Sequence, residues 1–331
     1  MKLEIGIVGL PNVGKSTLFK IITSQEVHIA NYPFATIDPN VGVVAVPDER
    51  VDKLADMSKS KKRVPAVVEF YDIAGLVKGA YKGEGLGNQF LSHIRNVQVI
   101  VQIVRCFENG DIVHVEGNVN PIRDIEIIES ELIFKDLDTI EKRLSKLEAD
   151  VRGGDKQAKI DLEILGKAKE ILGRGELLTL LAEEKIIKEL QLLTAKQQIF
   201  LMNGKPEDVK DDVKEKIRGM KFEYLIADLS DAESLPNLIK AAYFTLNLVS
   251  FFTTGEDETR AWTIERGMKA PQAAGVIHTD FENKFIRAEV VNWEKLLEAG
   301  SWNAAKQKGW QRLEGKDYVV QDGDVMVVRH G

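Results

Sequence analysis

The chain has 331 residues and a formal charge of −7 at pH 7, from 45 Lys and Arg against 52 Asp and Glu, which excludes a highly basic nucleic-acid coat protein. With 44% hydrophobic and 29% charged residues, the composition is that of a globular chain of roughly two domains and excludes an intrinsically disordered one. The longest apolar run, Val97 to Val104, is shorter than the roughly 18 residues of a membrane span, and the N-terminus has no signal-peptide pattern. Cys106 is the single cysteine, which is typical of a reducing compartment. We therefore expect a cytoplasmic protein that contacts no membrane.

The first predicted elements are a strand, a loop and a helix. Leu3 to Val8 is apolar and β-branched, a glycine-containing loop follows, and Ser16 to Ile22 has helical spacing. Further short apolar runs predict strands at 41–46, 64–70, 99–104, 199–202 and 222–226. Strands that alternate with helices and loops favour a doubly wound α/β sheet, with a nucleotide site beyond the carboxyl ends of its strands.

A heptad pattern follows in the middle of the chain. Apolar residues recur in steps of four and three at Ile133, Leu137, Ile140, Leu144, Leu147 and Val151. Arg152 to Asp155 breaks this helix, and a second charged helical stretch runs from Lys156 to Leu172. The pattern predicts an antiparallel helical hairpin, with helices of roughly 20 residues and about 30 Å. A short bundle lying against the sheet is the alternative.

A small α+β domain is predicted from about residue 249. Near its end, 318–328 contains two β-rich runs joined by an Asp322-Gly323 turn, which predicts a hairpin. The predicted organisation is a nucleotide-binding domain in two parts, 1–125 and 197–248, a helical arm at 126–196 inserted between them, and a C-terminal domain at 249–331.

Gly9 to Ser16 fits the phosphate-loop pattern of Gly, four residues and Gly-Lys-Ser. Glycines allow the loop to close around a phosphate, and its backbone N–H groups and the following helix N-terminus point at the anion. In this pattern Lys15 contacts the β- and γ-phosphates and Ser16 is a ligand of Mg²⁺. A glycine loop without a ligand is the alternative.

Asp72 and Gly75 follow the strand that ends near Tyr71, beside the phosphate loop. We expect Asp72 to hold the Mg²⁺ shell through water and the Gly75 N–H to contact the γ-phosphate, as part of a sensor that responds to the nucleotide. Thr36, between the first helix and the second strand, is the candidate for a second hydroxyl ligand of Mg²⁺. The alternative for the segment of Asp72 and Gly75 is an ordinary glycine-rich surface loop, and the alternative for Thr36 is a simple turn residue.

The base-binding loop is predicted after the strand at 199–202, where the sequence is Asn203-Gly204-Lys205-Pro206-Glu207. A guanine-specific loop has a carboxylate three residues after the Asn, and here that residue is Pro206. Because guanine then loses its distinguishing partner, ATP is expected to bind better than GTP. Asn203 is expected to contact N7 of the base, and the backbone near Gly204 to contact the adenine amino group.

The group that activates water is less obvious. Leu76 occupies the position that holds a water-orienting Gln in related switch proteins, and an apolar side chain cannot take that role. His114 follows the strand at 99–104 on the expected ligand side and is the candidate instead. A structural or surface histidine is the alternative.

Together these motifs resemble the YchF, or Obg-like, ATPases, a branch of the phosphate-loop GTPases. The resemblance extends over the whole chain, through the segments 9–16, 31–40, 72–77, 83–88, 260–264, 270–281 and 314–324. One departure lies in the base loop, which in that family has the form Asn-x-x-Glu, whereas Glu207 comes four residues after Asn203.

The resemblance implies a G-domain interrupted by a coiled-coil arm and followed by a ubiquitin-like TGS domain. It also implies slow, Mg²⁺-dependent hydrolysis of ATP in preference to GTP, and association with ribosomes, with the large subunit and its rRNA as expected contacts. By motif position it places phosphates on Asn12, Val13, Gly14, Lys15, Ser16 and Thr17, Mg²⁺ on Ser16 and Thr36, and the base on Asn203 and Gly204. His114 matches a loop histidine proposed to replace the missing Gln.

The leading hypothesis is therefore a nucleotide switch in which bound ATP and Mg²⁺ order the loops at Thr36 and Gly75. A small-molecule kinase with the same phosphate loop is an alternative. Another alternative is a module that binds the ribosome, RNA or a protein equally well with or without bound nucleotide, with vestigial hydrolysis. The oligomeric state is left open.

Overall fold

The computed structural model describes residues 3–24, 41–72, 95, 97–110, 112–229 and 234–331. The predicted site residues Thr36 and Gly75, and Leu76, lie outside these ranges. In the described residues the strands are β1 (Leu3–Val8), β2 (Val41–Ala45), β3 (Lys62–Val64), β4 (Val67–Asp72), β5 (Val99–Arg105), β6 (Gln197–Asn203), β7 (Glu223–Ala227), β8 (Leu248–Thr254), β9 (Glu258–Glu265), β10 (Phe285–Asn292), β11 (Arg312–Glu314) and β12 (Asp324–His330).

The helices over the same ranges are α1 (Lys15–Ser24), α2 (Glu49–Ser58), α3 (Pro121–Arg152), α4 (Lys156–Gly173), α5 (Lys185–Glu189), α6 (Asp211–Gly219), α7 (Ser234–Thr245), α8 (Ala270–Ile277), α9 (Thr279–Asn283), α10 (Trp293–Ala299) and α11 (Trp302–Gln307). Single 3₁₀ turns lie at Leu178–Leu181, Leu193–Ala195 and Pro206–Asp208. No helix in the described part of the chain is long and apolar enough to cross a membrane.

The first sheet has the strand order β2-β4-β1-β5-β6-β7. All neighbours are parallel except β2, which runs antiparallel to β4. Ile5 at its centre faces Phe70 of β4 and Val99 of β5, and all three are fully buried. This sheet confirms the predicted α/β fold, and it brings the carboxyl ends of β1, β4, β5 and β6 to one edge.

The strand predicted at 64–70 is two strands, so that prediction was wrong. β3 ends at Val64, β4 begins at Val67, and the two belong to different sheets. Pro65 has no N–H to continue a ladder, and the Ala66 carbonyl accepts from the N–H of Val46. Periodicity alone cannot separate two apolar strands across so short a break.

The helical hairpin is formed by α3 and α4. The predicted heptad residues face a core of their own: Ile133, Ile140 and Leu147 are buried, and Leu165 and Leu172 of α4 pack with them. Gly154, at φ 87°, turns the chain between the helices, and Asp155 caps α4 by accepting from the N–H groups of Gln157 and Ala158. At 32 and 18 residues, the helices are about 48 and 27 Å long, so they are less equal than predicted.

Helix α3 begins on the first sheet and continues into the hairpin. Ile128 and Leu132 pack in the sheet's core, whereas residues from Ile133 onward pack in the hairpin's core. The predicted boundary at 125/126 therefore falls inside one continuous helix, and the division of the chain into domains remains a prediction.

The second sheet has the order β11-β10-β12-β8-β9-β3. Its strands are antiparallel except at the β12–β8 and β3–β9 pairs. Thus β3, from the first third of the chain, lies beside the C-terminal strands. An ion pair of 2.8 Å between Arg50 of α2 and Asp322 joins the same two regions.

The hairpin predicted at 318–328 is not formed. The second run is β12, but the first makes only an isolated bridge from Val319 to Lys269. Both sides of β12 are already paired, with β10 and β8. The turn at Gly323, φ 83°, is retained, and the buried Asp324 carboxylate accepts from the Tyr318 hydroxyl at 2.7 Å and the Gln321 N–H at 2.8 Å.

Glu129 is an unusual carboxyl group in the core beneath α3. It is 9% exposed, and its Oε1 has no hydrogen-bond partner within the described residues. Burial raises the pKa of Glu129 to about 7, with a further rise from Glu126 and an opposing effect of Lys216. In the unfolded chain this glutamate ionises near pH 4.5. Between pH 4.5 and 7 the carboxyl group is therefore ionised in the unfolded chain and neutral in the folded one, so the free energy of unfolding falls as the pH rises.

We expect Glu129→Gln to raise the free energy of unfolding by about 1–3 kcal/mol at pH 8, and by much less at pH 5, because the amide has no charge to desolvate. Denaturant titrations from pH 5 to 8 measure this. Glu148→Gln, at an exposed position of the same helix, is the matched control and should follow the wild type. A Glu129→Gln curve parallel to the wild type at all pH values would contradict the assignment.

Candidate functional site

The loop between β1 and α1 has the backbone of an anion-binding turn. Gly9, Asn12 and Gly14 have φ values of 154°, 61° and 109°. A Cβ at Gly9 would lie 2.6 Å from the Ile103 carbonyl oxygen of β5. Glycine is required there because the loop runs directly against the neighbouring strand.

Asn203, the last residue of β6, fixes this loop from the side. Its Nδ2 donates to the Val13 carbonyl at 2.9 Å, and its Oδ1 accepts from the Leu229 N–H at 3.4 Å. A Cβ at Gly14 would lie 2.5 Å from that Nδ2 and 2.8 Å from Leu229 Cδ1. The amide of Asn203 therefore supports the loop, and its predicted contact with N7 of a base stays a prediction.

Lys15 lies at the first turn of α1 with its ammonium group turned onto the loop. Nζ donates to the Gly9 carbonyl at 2.8 Å and to the Leu10 carbonyl at 2.6 Å. Burial lowers the pKa of Lys15, and the nearby Asp72 carboxylate opposes this. A part-buried cation held by two carbonyl groups, with one carboxylate nearby, can bind an anion such as a phosphate.

Asp72, at the carboxyl end of β4, faces the same lysine. Burial raises the pKa of Asp72, and the Lys15 charge lowers it. Asp72 Oδ1 is buried and has no hydrogen-bond partner among the described residues. A carboxylate oxygen without a protein donor, beside a phosphate loop, fits the oxygen chemistry that Mg²⁺ prefers, directly or through water.

A cavity of about 580 Å³ joins the loop to the ends of β5 and β6. Among the predicted site residues it is lined by Asn12, Gly14, Lys15, Ser16, Thr17, Asn203 and Gly204. Val13 points its side chain into the core and contributes its carbonyl to Asn203. The volume is within the range of small-molecule sites.

Other residues of this cavity were not predicted from the sequence. They are Phe107, Ile112, Lys205, Asp208, Asp228 and Leu229. They follow the carboxyl ends of β5, β6 and β7, which is the one signal that points to them. Glu207, which comes four residues after Asn203, is exposed and is not in the cavity wall.

Arg105 fixes the loop that contributes Phe107 and Ile112 to the cavity wall. It is 1% exposed, and its guanidinium donates to the carbonyls of Phe107 at 3.1 Å, Ile112 at 3.0 Å and Asn109 at 3.2 Å. Three carbonyls fixed by one planar cation define the path of this loop.

His114, the predicted water-activating residue, is buried away from the cavity. It is 5% exposed and is absent from the cavity lining. Its Nδ1 accepts from the Glu116 N–H at 3.2 Å, so Nε2 carries the proton and donates to Asp124 Oδ2 at 2.8 Å. The loop itself reaches the phosphate loop, because Asn12 Nδ2 donates to the Val113 carbonyl at 3.1 Å.

Comparison with known proteins agrees with this geometry. A family model described as "50S ribosome-binding GTPase" matches residues 4–142, and the C-terminal model of YchF GTPases, described as "Protein of unknown function (DUF933)", matches 248–331. The chain is 47% identical to "Ribosome-binding ATPase YchF" of Bacillus subtilis, over 99% of each chain.

The chain belongs to the YchF family. It is also 43% identical to "Obg-like ATPase 1" of Oryza sativa, over 98% of this chain and 91% of that one. The solved structure of the Schizosaccharomyces pombe YchF GTPase has a TM-score of 0.83 at 40% identity and covers 99% of this chain and 98% of its own. The resemblance found in the sequence motifs is thereby confirmed.

We expect Gly14→Ala to weaken nucleotide binding at least 10-fold, because the new methyl group would displace Asn203 or Leu229 and strain the loop, at a cost of about 1–3 kcal/mol. Fluorescent-nucleotide titration measures it. Gly166→Ala in α4, where a Cβ meets nothing within 4 Å, is the control and should bind as the wild type does. Equal affinities for both variants would contradict the tight packing at Gly14.

Proposed function

We propose that this protein is a Mg²⁺-dependent ATPase that acts as a nucleotide switch in association with ribosomes. The observation that carries the proposal is the cavity in which the phosphate loop, Lys15 and the ends of β5 and β6 meet. Relatives named "Ribosome-binding ATPase YchF" at 44–47% identity support both the reaction and the partner.

The phosphates are assigned to the loop from Asn12 to Thr17. Its backbone N–H groups and the N-terminus of α1 attract the anion. Lys15 would exchange its two carbonyl acceptors for β- and γ-phosphate oxygens. Of the residues that the structure describes, Ser16 and Asp72 fit a Mg²⁺ ion, Asp72 through water; Thr36 and Gly75 complete the proposed set by sequence. Bound Mg²⁺ would neutralise charge on the phosphates during transfer.

ATP is proposed as the substrate, with GTP weaker. Three residues after Asn203 stands Pro206, which has no carboxylate for guanine. Phe107 and Leu229 supply aromatic and aliphatic surface to the same cavity, against which a purine ring can pack. The curated relatives at 43–47% identity are named ATPases, which supports the same choice.

The proposed partner is the ribosome, with the large subunit and rRNA as the contacts to test. The family model that matches residues 4–142 names the 50S subunit. With a formal charge of −7, the chain is expected to bind through local patches and shape. The hairpin of α3 and α4 and the C-terminal sheet, proposed to be a coiled-coil arm and a TGS domain, are the candidate contact regions.

We expect ribosome co-sedimentation to be at least several-fold stronger with a non-hydrolysable ATP analogue and Mg²⁺ than with ADP. Lys15→Ala should remove this difference and reduce ATP hydrolysis, because it removes the charge that contacts the β- and γ-phosphates. Equal sedimentation of the wild type with the analogue, with ADP and without nucleotide would contradict the switch and favour a nucleotide-insensitive binding module. Fast phosphate transfer to a metabolite would favour a kinase.

His114 remains our candidate for activating water, although it would have to leave both Asp124 and the Glu116 N–H. We expect His114→Ala to lower the single-turnover hydrolysis rate about 100-fold, the lower end of general-base effects, with ATP affinity unchanged. His330→Ala, at an exposed histidine of β12, is the control. A His114→Ala rate equal to the wild type, with an unchanged melting temperature, would eliminate this role.

A further inference from the structure

Asp208 is a carboxylate in the nucleotide cavity that no sequence motif identified. It ends the 3₁₀ turn Pro206–Asp208 after β6, and it lines the same cavity as the phosphate loop. Its Oδ2 accepts from the Lys205 N–H at 2.9 Å. This bond closes the turn and fixes the direction of the carboxylate.

The second carboxylate oxygen of Asp208 is available. Within the residues that the structure describes, the Asp208 side chain makes one hydrogen bond, to the Lys205 N–H, and no ion pair, so Oδ1 keeps its acceptor capacity. Asp208 is half-buried, and a partly desolvated carboxylate oxygen forms strong hydrogen bonds with N–H donors. A donor on a molecule bound in the cavity can use this oxygen.

Two other side chains at this end of the cavity already have partners. The Asn203 amide is divided between the Val13 carbonyl and the Leu229 N–H. Asp228 has an interaction of its own. Pro206 and Glu207 are not in the cavity wall. Of the two carboxylates that line the cavity, Asp208 is the one in the turn after β6, beside the predicted base loop, so it is the candidate acceptor for the edge of a base.

Gly204 leaves space for this carboxylate. A Cβ at position 204 would lie 3.2 Å from Asp208 Oδ2 and 3.3 Å from the Cys106 Cβ. Contacts this close are tighter than normal packing, so a side chain here would press on the carboxylate. Glycine at position 204 thus leaves room for the Asp208 carboxylate at the cavity wall.

We propose that Asp208 determines base specificity by accepting a hydrogen bond from the exocyclic amine of adenine through Oδ1. The proposal rests on the ATP site proposed above. Adenine has an N–H donor at carbon 6, whereas guanine has a carbonyl oxygen there, and a carboxylate facing that oxygen would repel it. A carboxylate in this position therefore attracts adenine and disfavours guanine without the usual base-loop motif.

The test compares Asp208→Asn with the wild type by calorimetric titration in Mg²⁺ against ATP, GTP and purine riboside triphosphate, which is adenosine triphosphate without the 6-amine. The wild type should bind ATP about 10- to 100-fold more tightly than purine riboside triphosphate, as expected for a charge-assisted hydrogen bond. Asp208→Asn should remove most of this ratio by weakening ATP binding alone. Asparagine keeps the turn, because its Oδ1 can still accept from Lys205.

Glu207→Gln is the matched control, since it neutralises an adjacent exposed carboxylate outside the cavity wall, and it should preserve all three affinities. Asp208→Ser, which also closes the turn, should repeat the result of Asp208→Asn. If Asp208→Asn weakens GTP and not ATP, or weakens ATP and purine riboside triphosphate equally, Asp208 does not bind the adenine amine. If the wild type binds no triphosphate at all, the proposed function fails instead.

Discussion

The bond from Asn203 Nδ2 to the Val13 carbonyl is the constraint on which the candidate site depends. A phosphate loop cannot be stabilised by its own N–H groups, because they must point outward to the anion. Side chains instead donate to its carbonyls: Lys15 donates to Gly9 and Leu10, and Asn203 donates to Val13 from the end of β6. The distance is set by the sheet, since β5 lies between β1 and β6 and pairs in parallel with both. Gly14 has to be a glycine because the clamping amide occupies the place of its side chain.

Asn203 also joins the phosphate end of the cavity to its base end. The Asn203 carbonyl accepts from the Cys106 N–H, and the Gly204 N–H donates to the Ala227 carbonyl, so the ends of β5, β6 and β7 are linked directly. Arg105 then holds Phe107 and Ile112 in the cavity wall. Asn12 of the phosphate loop donates to the Val113 carbonyl, which follows that wall. Because these side-chain and backbone hydrogen bonds connect the two walls, we expect a displacement at one wall to change the other. This is why a substitution in the base loop should also affect phosphate binding unless it preserves the turn, as Asp208→Asn does.

Much of this arrangement could be predicted because it depends on local patterns. The phosphate loop and the heptad residues from Ile133 to Val151 specify their own geometry within a few turns of chain. The errors arose where tertiary pairing decides the outcome: Pro65 sends two halves of one apolar run to different sheets, and β12 has no free side for the run at Tyr318. The contacts of Arg105, Asp208 and His114 were beyond sequence reasoning for a related reason. Each depends on which carbonyl, N–H or carboxylate a loop brings within about 3 Å, and no residue spacing encodes that.

The root of the hairpin shows how the inserted helices are coupled to the sheet. Asp136 of α3 accepts from the Leu193 and Thr194 N–H groups and the Thr194 hydroxyl at 2.6–3.0 Å, so the chain leaving the sheet and the chain returning to β6 are tied together. Lys196 donates to the carbonyls of Arg95 and Val97, and the Arg95 guanidinium donates to Thr139. Because the buried carboxylate would lose three donors at once, bending at this root is costly. A rotation of this root would therefore move α3 as a unit, and the stretch from Asp136 to Arg152, about 24 Å long, would enlarge that rotation into a larger displacement at the far end of the helix.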